Sequence, residues 1–212
     1  MRNDLLAQIV IASGGAVTNK DDRNSLLSDW LAAVSSPQVE VARLDGATKY
    51  WQLSESISLI AGDKVRLKYQ AGTTASTSIK AIYSRDTNYY PMVGLGSDGK
   101  YSVNSGSLNI DGVDYVGGNQ APIDGNIHTI EHSITASAET SLLGAGWISF
   151  ADKTTLWHFD SVLFDFEVER GGEIIHSIPL TNKSQGATQL ATVGNVNATM
   201  ANYTGDEWEP LP

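Results

Sequence analysis

Trp157-His-Phe-Asp-Ser-Val-Leu-Phe-Asp-Phe-Glu-Val-Glu-Arg-Gly-Gly-Glu-Ile-Ile-His-Ser-Ile-Pro-Leu180 is the stretch that decides the fold class. Val162, Phe164, Phe166 and Val168 alternate with Leu163, Asp165, Glu167 and Glu169. A period of two means a strand with one apolar face and one mostly acidic face. Gly171-Gly172 supplies a two-residue turn with positive φ, and Ile174, Ile175 and Ile178 begin the return strand. A hairpin of this kind must bury one face against a second sheet. Burying three carboxylates is costly, so the Val162/Phe164/Phe166/Val168 face is expected to point into the core.

The same grammar runs outward from this hairpin. From Val39 onward, strand-like segments alternate with turns, the pattern of an all-β sandwich or barrel. Val39–Leu44, Tyr50–Leu53, Asp63–Tyr69, Ser78–Tyr83, Met92–Leu95 and Lys100–Val103 read as strands. Ser107–Ile110, Ile127–Ile134, Trp147–Phe150, Val162–Val168 and Glu173–Ile178 continue the series. Asp45-Gly46, Ala61-Gly62-Asp63, Ser97-Asp98-Gly99 and Asp111-Gly112 carry turn chemistry between them.

Residues 1–36 read differently. Asn3 caps a short helix ended by Gly14-Gly15, and Leu27, Trp30, Leu31 and Val34 fall at helical spacing before Pro37. Leu5, Leu6 and Ile9 on the first helix, with Leu27, Trp30 and Leu31 on the second, form apolar surfaces too large for short helices to leave exposed. They are expected to be an assembly element, and 37–212 the sandwich.

Composition narrows the function classes. The chain has 212 residues and a net charge of -10. That balance argues against a nucleic-acid partner, which needs a basic footprint. With no cysteine, disulfide scaffolds and thiolate zinc sites are excluded. No apolar run approaches the ~20 residues of a membrane-spanning helix. The apolar run of the opening is short and interrupted by Gln8, and Asp4 sits where a secretory signal carries positive charge, so folding in a cytoplasm is expected.

Several segments together carry a resemblance. Val41-Ala-Arg-Leu-Asp-Gly-Ala-Thr-Lys-Tyr-Trp-Gln-Leu53 resembles the early strand pair of concanavalin-A-like and laminin-G-like sandwiches. Asp124-Gly-Asn-Ile-His-Thr-Ile-Glu131 is similar to their Asp-Gly-x-Trp-His-Thr-Val strand, with Ile127 in place of the aromatic. Gly144-Ala-Gly-Trp147 followed by Phe159 to Glu169 resembles their ending. Ile178-Pro-Leu180 through Gly205-Asp-Glu-Trp208 looks like such domains in phage and prophage virion proteins, as does the leader with Asn24-Ser-Leu-Leu-Ser-Asp-Trp-Leu31. The resemblance implies a two-sheet antiparallel jelly-roll sandwich with a short helical N-terminal segment. It also implies a non-enzymatic virion part, on tail, fibre or capsid surface. Its partners would be other virion proteins, a second and third copy of itself, and a host-surface glycan.

Candidate sites follow. Arg85-Asp-Thr-Asn-Tyr-Tyr90 brings Asp86, Asn88, Tyr89 and Tyr90 into one loop, with aromatic faces for sugar rings and oxygens for hydroxyls. No cofactor is expected, and calcium is the ion that the resemblance allows, through Asp86 and Asn88. Asp165, Glu167 and Glu169 are similar to the acidic strand of laminarinase-type glycoside hydrolases, the alternative reading. Here the order departs from the enzyme pattern, and a solvated sheet face is expected. His128-Thr-Ile-Glu-His132 matches the inverted zinc-protease motif, with Glu207 and Glu209 downstream. On a strand its two histidines stand ~13 Å apart, too far for one zinc, and no metal site is expected.

Overall fold

A computed structural model describes residues 40–73, 78–86, 91–116, 119–149 and 154–211. The helices expected over 1–36, and with them Leu5, Leu6, Ile9, Leu27, Trp30 and Leu31, lie outside the described residues. The described chain begins with β1 (Glu40–Ala42), β2 (Trp51–Leu59), β3 (Lys64–Gln70), β4 (Lys80–Tyr83), β5 (Val93–Leu95) and β6 (Tyr101–Val103). Next come β7 (Gly106–Ile110), β8 (Val113–Asp114), β9 (Ile127–Ile134), β10 (Ala138–Leu143), β11 (Gly146–Ser149) and β12 (Thr154–Leu156). The chain ends with β13 (Leu163–Arg170), β14 (Glu173–Pro179), β15 (Thr188–Gln189), β16 (Ala198–Met200) and β17 (Trp208–Pro210). The described residues contain no α-helix.

Two large antiparallel sheets dominate. A seven-stranded sheet runs β15-β16-β2-β10-β4-β5-β6, and a six-stranded sheet runs β14-β13-β3-β9-β7-β8. Their apolar faces meet in one core. Tyr83 of the first sheet stands edge-on to Phe166 of the second at 6.2 Å, and its hydroxyl bonds His132 Nδ1. The hydroxyls of Tyr69 and Tyr101 bond across the same gap. The architecture is therefore all-β and sandwich-like.

The β13–β14 hairpin forms as the sequence predicts, with Gly171 and Gly172 at φ 61° and 88°. Both values lie in the left-handed region that a two-residue hairpin turn requires. One expectation fails. Phe166 and Val168 are fully buried, but Phe164 is only partly so, and Leu163 takes the core position instead. The reason is a β-bulge: Leu163 pairs with Tyr69 and Asp165 with Lys68, leaving Phe164 as the extra residue. Asp165 Oδ1 accepts the Lys68 N–H at 2.8 Å, supplying an acceptor at the irregularity.

The acidic face of β13 does point outward, and it is matched by β3. Arg66 lies beside Glu131 of β9 and Glu167 of β13 in register. Its guanidinium bonds Glu131 at 2.8 Å and Glu169 at 2.6 Å, while Lys64 reaches Glu131 at 2.9 Å. On the inner face Gly106 is dictated by close approach. A Cβ there would lie 2.0 Å from Ser133 O and 2.6 Å from His132 Nε2.

A buried ion pair fastens the C-terminal segment. Glu207 bonds Lys49, and it also accepts the Thr204 N–H and Gly205 N–H, each at 2.8 Å. Burial pushes its carboxyl up, but the Lys49 and backbone hydrogen bonds outweigh that and hold it at about 2, against 4.5 ordinarily. A depressed folded-state value stabilises the fold above the unfolded value and loses that contribution as pH falls through the folded one. Urea unfolding should therefore show about 2–3 kcal/mol of acid-labile stability below pH 4.5 that Glu207→Gln lacks. An identical acid profile in the variant would refute this role for the pair.

Candidate functional site

Several segments meet at one end of the sandwich, where β3 ends and β4, β9 and β13 begin. They enclose an open cleft of about 450 Å³. Its floor is Phe159, buried and edge-on to Tyr69 at 6.0 Å. One wall is Ala121, Pro122, Ile123 and Gly125, from the loop before β9. Ile123 is exposed.

Gln70, the last residue of β3, ties the segments together. Its Oε1 accepts from Arg43 at 3.2 Å, and its Nε2 donates to Gly125 O at 3.1 Å. Its backbone carbonyl accepts the Ser161 hydroxyl at 2.8 Å. Arg43 is further fixed by Glu209 at 2.5 Å. Lys80 and Asp160 form a 3.2 Å ion pair in the lining, with the lysine mostly covered and the Asp160 carboxylate 58% exposed. An exposed carboxylate, an ammonium and a guanidinium over an apolar floor suit a ligand that both donates and accepts hydrogen bonds.

The loop wall is held from behind by His128. Its Nδ1 lies 2.6 Å from Asp111 Oδ2 and its Nε2 3.0 Å from Asp124 Oδ1. Asp124 sits between two cleft residues, Ile123 and Gly125. Burial works against charge on His128, but hydrogen bonds to Asp124 and Asp111 outweigh it and raise its pKa. The hydrogen bond from His128 in turn lowers Asp124 to about 2.

The other motif histidine, His132, is fully buried against Tyr83, and burial lowers it to about 4. Glu131 of the same motif points to the opposite face, as strand geometry demands. Among the described residues no group of three or more His, Cys, Asp or Glu is placed to hold a metal ion. No described helix is long and apolar enough to cross a membrane.

The loop expected to bind ligand is only partly described. Asn88, Tyr89 and Tyr90 lie outside the described residues. Asp86 has no solvent exposure and accepts hydroxyls from Ser56 and Ser141, each at 2.7 Å. Its carboxylate faces the interior. Asp165, Glu167 and Glu169 share the outer sheet face, where each is engaged: by Lys68 at 3.3 Å, Ser177 at 3.2 Å and Arg66 at 2.6 Å. Arg43, Gln70, Lys80 and Asp160 were not singled out in the sequence. They come from four separate segments; Arg43 and Asp160 lie inside the Val41–Leu53 and Trp157–Leu180 stretches, which were read for their strands and not for these side chains.

Comparison of the chain with family models, curated proteins and solved structures finds no match.

Proposed function

We propose that residues 37–212 form a concanavalin-A-like jelly-roll sandwich of a phage particle, a non-enzymatic module that takes a host-surface glycan in its end cleft. Residues 1–36 are its helical assembly segment, docking it as a homotrimer onto other virion proteins. The end cleft carries the binding reading. Asp160 is positioned to accept from sugar hydroxyls while Lys80 and Arg43 donate to them, over the Phe159 floor. Asp160 is the one carboxylate among the cleft's described lining residues, whereas glycoside hydrolysis ordinarily uses two. The virion assignment rests on the phage-like leader and ending of the sequence.

Two measurements test the proposal. Particles purified from producing cells should contain the chain by mass spectrometry. Immobilised bacterial surface glycans should retain the wild type, and Asp160→Ala or Lys80→Met should weaken retention about 10–100-fold without changing the far-UV spectrum. Equal retention by both variants sinks the cleft as the site. Release of shorter saccharides by wild type, lost in Glu167→Gln, would replace this reading with the laminarinase-type alternative.

A further inference from the structure

We propose that His128 is a proton-operated clasp on the cleft wall: as an imidazolium it joins Asp124 to Asp111 and holds the 121–126 loop, and as a neutral ring it releases it. As a regulator of ligand binding, the clasp rests on the reading of the end cleft as the binding site.

The geometry itself requires two protons. Both ring nitrogens face carboxylate oxygens, at 2.6 Å and 3.0 Å. Ionised carboxylates only accept, and imidazole donates from both nitrogens only when charged. A neutral ring satisfies one carboxylate and turns a lone pair toward the other. The His128 side chain is 12% exposed against 48% and 45% for the two carboxylates, so water reaches the carboxylates but has little access to the ring.

The two carboxylates are not equivalent. Asp111 is built into the sheet: its Oδ1 accepts the Thr129 N–H at 2.8 Å, and its own N–H bonds Thr129 O at 3.0 Å. Asp124 belongs to the loop, and its Oδ1 is shared with the Asn126 N–H at 2.9 Å. The Gly125 N–H reaches Gly72 O at 3.4 Å, a weak bond. Loss of the clasp therefore acts on Asp124 and the cleft wall, while Asp111 stays in place.

Among the described residues the titratable groups around the ring are few. Asp111 comes from the β7–β8 turn and Asp124 from the loop. Tyr69 comes from β3, in register with His128 and 6.0 Å from its ring. Burial pushes Tyr69 up to about 12, and Tyr101, its hydroxyl partner, higher still, so both stay neutral across the range where His128 titrates. A raised folded-state histidine contributes its stabilisation fully below 6.5 and loses it as pH rises through the folded value. The clasp is therefore closed in acid and opens toward alkaline pH.

NMR on the full chain tests this without any ligand. The His128 ring should titrate above 6.5. Hydrogen-exchange protection factors at Gly125 and Ala71, whose N–H bonds Asn126 O, should fall about tenfold between about pH 5.5 and 8.5. In His128→Gln they should be low at both pH values, and in Asp111→Asn the His128 pKa should fall. Protection that is unchanged through the His128 titration, or unaffected in His128→Gln, overturns the clasp. Glycan retention at the same two pH values separates the two claims. If protection shifts as expected but nothing is retained at either pH, the clasp stands and the binding reading alone falls. Retention that ignores both pH and His128→Gln overturns the clasp as a regulator.

Discussion

Phe166→Ala is expected to destabilise the sandwich by about 3–5 kcal/mol, the range of large aromatic truncations in well-packed cores. Phe166 has no solvent exposure and lies between Leu67 and Ile178 in register. Its ring meets Tyr83 of the opposite sheet at 6.2 Å. Tyr83 cannot swing in to fill the gap without breaking its bond to His132, so the cavity should persist. Urea denaturation with an unchanged m-value is the measurement. Phe164→Ala is the internal comparison. Because the bulge leaves Phe164 only partly buried, its truncation should cost less than half as much. Equal costs would mean that the bulge is misplaced, and a loss below about 1 kcal/mol at Phe166 would contradict the inter-sheet contact itself.

Asp63→Ala should cost about 3 kcal/mol, the low end for breaking a buried charge pair. The Asp63 carboxylate is 1% exposed and receives three hydrogen bonds. Arg170 of β13 donates twice, at 2.8 Å and 2.7 Å, and the Ile60 N–H donates at 2.9 Å across the β2–β3 turn. Asp63 O also accepts the Ile134 N–H of β9 at 2.8 Å. One residue thus ties together four strands. Arg170 keeps 39% of its side chain in solvent, which limits the penalty of leaving it unpaired. Asp63→Asn retains one carbonyl acceptor and should fall between wild type and alanine. Thermal and urea unfolding of the two variants would check the order, and an alanine loss under about 1 kcal/mol would show that Arg170 finds another partner.

The hairpin was legible because two local signals agree: period-two alternation in Val162–Val168 and a glycine pair where positive φ is needed. The bulge at Phe164 was not legible, since it is set by how β3 pairs with β13, and nothing in the β13 stretch alone encodes the slip. The strand Ala138–Leu143 escaped for another reason. Thr140 and Ser141 resemble loop residues, yet both are buried, and Ser141 is there to bond Asp86. That same bond turns Asp86 from an exposed-looking loop acid into an interior one. The end cleft was illegible because Arg43, Gln70, Lys80 and Asp160 converge only after both sheets have formed. His128 was noticed for its spacing to His132, whereas its partners proved to be Asp111 and Asp124, one of them seventeen residues away.

The pairing of β1 with β17 also determines how the domain responds to pulling. Glu40 lies opposite Pro210, and Ala42 opposite Trp208, so residues 40 and 210 are neighbours at the outer end of a short antiparallel ladder. A force that separates these two points opens the ladder from that end, one rung after another, instead of shearing all rungs together. The first contacts to yield are the three residue pairs of that ladder with the Glu40–Lys183 and Arg43–Glu209 ion pairs and, behind them, the Lys49–Glu207 contact. Neither large sheet lies in the line of tension until those have gone. Under load the ends should peel at low force, taking Arg43 and its Glu209 bond away from the cleft rim while the two large sheets keep their shape, which a single-molecule force trace would record as a small early extension well separated from global unfolding.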